Sequence, residues 1–153
     1  MAASLFDSAL FGDLVGDREA QALFSDTAEI RAMLVVEGAL AKAQGALGLI
    51  PETAAKAIHR ASLEAELDPA ALAAETGRNA VPVPALVAAF RGQIGAPEHA
   101  AWAHYGATSQ DIVDTGLVLR LRRLLEIAEG RLRETLRGLS RLAGAHADLP
   151  MAG

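Results

Sequence analysis

No cysteine occurs in the chain, which excludes disulfides, cysteine-ligated zinc and a thiol nucleophile. Aromatic residues are scarce, at 4%, although 52% of residues are hydrophobic, mostly Ala, Leu and Val. That balance favours closely packed helices over a β-sandwich. There is no basic block, and the formal net charge is −5. Binding to nucleic acid through phosphate neutralisation is therefore not expected. No stretch approaches the ~20 uninterrupted apolar residues of a membrane span. Met1 is followed by neither a basic segment nor a long apolar run, so no signal peptide is read. The 153 residues are enough for one ordinary domain with a real core. The expectation is an all-α, soluble, cytoplasmic protein with neither a membrane nor a nucleic-acid partner.

What is present reads as a series of helices. Residues 1–16 are glycine-punctuated, with Leu5, Phe6, Leu10, Phe11 and Leu14 as apolar anchors for an arm packed on something else. Asp17 to Phe24 reads as a short helix. Asp26 then caps a long one, with Glu29 completing a capping box. Its face of Ile30, Met33, Leu34, Leu40, Ala41 and Leu47 is apolar, with Glu37 and Gln44 as polar exceptions. Gly48 ends it and Pro51 opens the next. Ala54 to Leu67 is helical, with Ile58 and Leu63 on the buried side and His59 at the surface. Asp68-Pro69 starts a further helix, which Gly77 stops. Pro82 and Pro84 keep Gly77 to Pro84 out of regular helix. Arg78 and Asn79 then sit in a stiff loop, either as functional groups or as partners of turn carbonyls. Leu86 to Ile94 is helical, and Gly95 to His99 is a turn.

Most of the reactive side chains gather in His104-Tyr105-Gly106-Ala107-Thr108-Ser109-Gln110-Asp111-Ile112-Val113-Asp114-Thr115. Gly106 permits a left-handed backbone. Thr108 can cap the following helix, and Asp111 can reach back to it as a weak form of the capping box. The same atoms suit a carboxylate ligand. A helix N-terminus offers free N–H groups and a positive dipole end. Thr108 and Ser109 add hydroxyls, and His104 can move a proton near neutral pH. Pattern alone leaves both readings open.

From Ser109 to about Ala147 there is no proline. Leu117, Leu121, Leu124, Ala128, Leu132, Leu136, Leu139 and Ala143 form a stripe at steps of three and four. Arg122 with Glu126 and Glu129 with Arg133 are i,i+4 pairs on the wet side. At ~1.5 Å per residue such a helix is roughly 55–60 Å long. The rest of the chain cannot cover it, so the expectation is a piece of a larger protein.

The letters say more than the pattern. His-Tyr-Gly-Ala-Thr-Ser-Gln-Asp followed by Asp-Thr resembles the first signature of the fumarase/aspartase superfamily. Leu23-Phe24-Ser25-Asp26, Glu37 to Gln44, Val81 to Val87 and Leu149-Pro150-Met151-Ala152-Gly153 are similar to its 3-carboxy-cis,cis-muconate cycloisomerase branch. The resemblance implies a helical domain over residues 1–107 and the start of a long-helix bundle over residues 108–153. It implies a lactone-forming reaction of aromatic degradation on a small tricarboxylate, in a homotetramer, with no metal or organic cofactor. Carried over by position, His104 and Ser109 would be catalytic. Thr108, Ser109, Gln110, Asp111, Arg78 and Asn79 would bind or support substrate. Two of the superfamily's three signature regions would lie beyond Gly153, so the chain alone would be inactive.

Other classes compare as follows. A fumarate-releasing lyase of the same superfamily shares the signature, and a non-catalytic helical association module would need only the long stripe. A Ser-His-Asp hydrolase lacks the Gly-x-Ser-x-Gly elbow around Ser109. His99 and His104, five apart, do not share a helical face as metal ligands.

Overall fold

The computed structural model describes residues 4–150. Among these there are helices and turns and no strand. Met151, Ala152 and Gly153, the end of the last family-like segment, lie outside the described residues, as does Met1. A 3₁₀ turn, Leu5–Asp7, is followed by α1 (Gly12–Val15), α2 (Arg18–Ala22), α3 (Asp26–Ala46), α4 (Glu52–Glu64), α5 (Pro69–Asn79), α6 (Val83–Gln93), α7 (Pro97–Ala100) and α8 (Ser109–Ala145).

Helix α3 packs on α4 and α8 and, less extensively, on α5. Met33, Leu34 and Ala41 on it meet Ile58 of α4, Leu86 and Phe90 of α6 and Ile112 of α8 in one core. Its contact with α4 is a seam of small residues. A Cβ at Gly38 would lie 1.9 Å from Ser62 Oγ, and one at Gly45 would lie 2.4 Å from Ala55 Cβ. Two glycines one heptad apart thus face two small residues one heptad apart on the antiparallel neighbour. This seam explains why Leu63 is exposed rather than buried: the packed face runs Ala54, Ala55, Ile58, Ser62, and Leu63 falls outside it. His59 is half-buried beside the seam instead of solvated, with Nδ1 inside and unpaired.

Several helix ends differ from expectation, each for a local reason. The α3 cap is Ser25, not Asp26: Ser25 is extended and its Oγ accepts from the Ala28 N–H at 3.3 Å. Glu29 turns instead towards Arg120 of α8, 3.6 Å away. Gly77 does not stop α5, which runs on until Ala80 turns left-handed at φ 57°. Arg78 and Asn79 therefore lie on the last turn of a helix and not in a loop. Pro82 and Pro84 do not exclude helix either. They occupy the cap and the first turn of α6, where the missing N–H has no intrahelical partner to lose. A short helix, α7, replaces the turn before the signature. The arm's Leu5, Phe6, Leu10, Phe11 and Leu14 are all exposed.

Helix α8 has 37 residues and packs only near its start. Ile112, Gly116 and Arg120 are its buried residues. Gly116 lies against Met33, and Arg120 stacks over Phe24 with its Cζ 5.5 Å from the ring centre. Further along, Arg131 pairs with Asp17 and with Glu19 of α2, the latter at 2.8 Å. From Glu129 onward every α8 residue except Gly138 is exposed. Leu117, Leu121, Leu132, Leu136 and Leu139 of the stripe face outward. The two i,i+4 pairs form as expected, Arg122–Glu126 at 3.6 Å and Arg133–Glu129 at 2.5 Å.

The seam predicts opposite signs for one substitution at two sites. Gly38→Ala gains helix propensity of up to ~1 kcal/mol. It also forces Cβ into Ser62, whose own Cβ lies 2.7 Å from it. Overpacking costs typically ~1–3 kcal/mol, so the net effect is destabilisation, relieved when Ser62→Gly is added. Gly130→Ala meets nothing within 4 Å and stabilises the chain. Urea unfolding of the four proteins checks both signs.

Candidate active site at the head of the long helix

The two polar exceptions on the α3 stripe explain themselves once the chain is folded. Glu37 is 1% exposed and Gln44 is 9% exposed, and both reach the turn that precedes α8. His104 Nδ1 lies 2.6 Å from Glu37 Oε1. Gln44 Nε2 donates to the Tyr105 carbonyl at 2.7 Å. From α6, Arg91 Nη2 donates to the Ala103 carbonyl at 2.8 Å. Consecutive residues 103, 104 and 105 are thus each held by one side chain from the helices beneath. Trp102 and Tyr105 add an edge-to-face contact at 5.2 Å.

That turn is strained. His104 has φ 63° and Gly106 has φ 70°. Glycine adopts this region freely; for a residue with a Cβ it costs about 1–2 kcal/mol. The three polar contacts offset that cost and hold the imidazole in place. Its side chain is 19% exposed. Nε2 has no hydrogen-bond partner among the described residues and is not enclosed.

The helix start follows the expected design. Thr108 is extended at φ −110°, ψ 163°, and forms a capping box with Asp111. Asp111 Oδ2 accepts from the Thr108 N–H at 2.9 Å. The N–H groups of Ser109 and Gln110 have no acceptor among the described residues. Ser109 is half-buried, and its hydroxyl makes no hydrogen bond there either. These are the free donors an anion would use. Gln110, exposed, spends its Nε2 on Asp114 Oδ1 at 2.5 Å.

The remaining residues named from sequence are placed less favourably. No hydrogen bond joins His104 to Ser109. Arg78 is exposed and paired with Glu75 of its own helix, and Asn79 is exposed beside it. Neither is hydrogen-bonded to residues 104–111. A groove of about 590 Å³ between α3 and α5 is lined by Asp26, Glu29, Met33, Thr76 and Pro82, and His104 is not part of its wall. Sequence reasoning missed Glu37 and Arg91 as parts of the site. The signal for Glu37 was there, as a charge on an otherwise apolar stripe. For Arg91 there was none.

Burial pushes the Glu37 carboxyl above its ordinary value of 4.5, against the opposing pull of His104 and the more distant Arg91 charge. Its second oxygen, Oε2, is buried with no partner among the described residues. Because the folded value is raised, folding takes up a proton on Glu37 between 4.5 and that value. The stabilisation is fully present below about pH 4.5 and is lost as pH rises through the folded value, by at most ~1.4 kcal/mol per pH unit. Stability–pH curves of wild type and Glu37→Gln are therefore expected to converge in shape at low pH. They should separate above 4.5, with the wild type falling relative to the variant. Parallel curves across this range would contradict the raised carboxyl.

Comparison with known proteins gives the family. A family model described as lyase matches residues 16–153. The 3-carboxy-cis,cis-muconate cycloisomerase of Pseudomonas putida is 44% identical over 136 residues, 86% of this chain and 32% of that protein. The nitrosuccinate lyase of Streptomyces davaonensis is 39% identical over 153 residues, 99% of this chain and 32% of that one. The crystal structure of the P. putida 3-carboxy-cis,cis-muconate lactonizing enzyme superimposes with a TM-score of 0.89 at 38% identity. That match covers 95% of this chain and 33% of the enzyme. The chain spans about a third of the length of these relatives. With the signature, the all-helical fold and the family match in agreement, the chain belongs to the lyase family of the fumarase/aspartase superfamily.

Proposed function

We propose that this chain supplies the first part of the active site of a 3-carboxy-cis,cis-muconate cycloisomerase, a cytoplasmic homotetramer of aromatic catabolism. In that reaction a carboxylate oxygen of the substrate bonds to one carbon of a double bond, and a proton is added at the other. The product is a lactone. The observation that carries the reading is the free set of donors at the head of α8, the N–H groups and hydroxyl described above, on the same stretch of chain as a histidine whose Nε2 has no partner among the described residues. Such donors match a substrate rich in carboxylates and an enolate-like charge that develops next to one. Thr108 and Ser109 bind a carboxylate, and His104 donates a hydrogen bond or moves a proton. Gln110 and Asp111 hold the helix start, with Arg78 and Asn79 at the margin. The reading routes no step through a metal or organic cofactor.

A second reading, a lyase that releases a fumarate-type product, is favoured by the nitrosuccinate lyase, whose likeness runs over 99% of the chain. The two differ in substrate, and a screen of succinyl adducts against carboxymuconate separates them.

The long helix supports a partner of its own kind. The exposed leucines of α8 recur at helical spacing, and an exposed apolar patch supports the reading of an interface. The chain is expected to self-associate through it, with bundle formation as in a tetramer. Light scattering that returns a compact monomer at high concentration would speak against this.

Activity gives the direct test. Alone, the 153-residue chain is expected to show no measurable turnover. In a polypeptide of the relatives' length that begins with it, Ser109→Ala and His104→Gln are each expected to cut turnover by roughly 10²-fold or more, with little change in melting temperature. Unchanged kinetics in both variants would sink the assignment.

A further inference from the structure

We propose that Glu37 is a positioning residue for His104: it takes Nδ1 from inside the helical layer and leaves Nε2, carrying a proton, as the nitrogen that meets substrate. This rests on the reading of His104 as part of the site and adds which of its atoms acts and what fixes it.

The geometry carries the first half. Glu37 is buried on α3 among Met33, Leu34 and Ala41, themselves buried, so its carboxylate cannot follow a ring that swings away. His104 cannot swing far either. Its left-handed backbone is pinned on both sides, by Arg91 at Ala103 and by Gln44 at Tyr105. With Nδ1 committed at 2.6 Å, the opposite nitrogen is the one left to face outward. A carboxylate that orients a histidine through its inner nitrogen is the logic of hydrolase triads and of histidines bound to metals.

Proton counting carries the second half. Nδ1 and Oε1 share one proton. If it sits on nitrogen, the pair at zero net charge is imidazolium and carboxylate. If it sits on oxygen, the pair is imidazole and carboxylic acid. In both cases Nε2 bears the other proton. Removing that proton leaves a net negative charge in a buried place where Oε2 already lacks a partner, which burial disfavours. Arg91, reaching from α6, is the charged group that works the other way. The zero-charge pair makes His104 a hydrogen-bond donor and proton source through Nε2, suited to a carboxylate or to an enolate-like oxygen.

The first measurement needs no variant. Long-range ¹H–¹⁵N spectra of the wild-type 153-residue chain at neutral pH are expected to show His104 with a protonated Nε2 in a single state. The exposed His146 serves as the reference for a free ring. A tautomer-averaged pattern for His104 like that of His146, or a bare Nε2, overturns the proposal. The second measurement uses the longer polypeptide. Glu37→Gln and Glu37→Leu are expected to lower kcat/KM by roughly 10–100-fold, to shift its pH profile and to change the His104 resonances. If Glu37 only fills space, the shape-preserving Glu37→Gln leaves the His104 resonances and the pH profile as in wild type, and the proposal fails. If His104→Gln itself leaves turnover intact, the reading of the active site fails instead, and the wild-type spectrum still decides the Glu37–His104 pair. That spectrum also decides should either variant not fold.

Discussion

A carboxylate sunk in an apolar helix face, 2.6 Å from an imidazole, is the contact on which the turn before α8 depends. Leaving such a group unpartnered costs several kcal/mol, and burial has already raised its pKa. The turn that carries His104 pays as well, with a left-handed non-glycine residue. Neither cost is sensible alone. Together they are, because the strained turn is what brings the histidine to the only place where the carboxylate can use it. Gln44 and Arg91 complete the arrangement by taking the carbonyls on either side. The helix start that follows at Thr108 is then aimed by a rigid base, which is what an anion site on a helix N-terminus requires.

That base is rigid because α3 is packed tightly on its other side. The Gly38–Ser62 and Gly45–Ala55 contacts bring α3 and α4 together with only the small Ser62 and Ala55 side chains between them at those points. Arg31 reinforces the seam by donating to the Ser62 carbonyl at 2.6 Å. Position 38 therefore follows Glu37 for a reason: one residue points to His104 and the next lets the supporting helix approach. A larger residue at 38 would push α4 away or tilt α3, and a tilt of α3 would move Glu37 relative to His104.

Much of this was legible in the sequence and some was not, for separable reasons. The helices announced themselves through periodicity and through Gly and Pro, and the longest was read to within about two residues at its far end because nothing in it breaks a helix. The errors lay where a residue had two compatible roles. Pro82 and Pro84 forbid a helix interior but suit its first turn. Gly77 can end a helix but need not, and Ala80 ended it instead, in a conformation an alanine rarely adopts. Leu63 was assigned by hydrophobicity, whereas the packed face was chosen by smallness. Of the site, the capping box and the free donors at Ser109 and Gln110 could be read locally, since they depend on neighbours in sequence. The partner of His104 lies 67 residues away, and no local pattern reports such a distance. Only the oddity of a charge on the α3 stripe pointed towards it.

The long helix is anchored in the fold at one end, and from Glu129 onward its residues are exposed, Gly138 excepted. Its buried residues follow one narrow line, Ile112, Gly116 and Arg120, while the leucine stripe lies on a neighbouring line about 100° round the helix. The first line belongs to this chain's own core. The second has no counterpart in it. Past Arg131, which still holds Asp17 and Glu19, the helix persists on propensity and on pairs such as Arg133–Glu129, worth only ~0.2–0.5 kcal/mol each. An isolated segment of that kind is marginal in water. Burying one leucine fully is worth about 1.5–3 kcal/mol, several times more than such a pair. The far half of α8 therefore gains little from its polar pairs, and its leucines stay exposed among the described residues, whereas the near half, with Thr108, Ser109 and the turn beneath them, is stabilised by α3. Ordering of the two halves rests on different contacts.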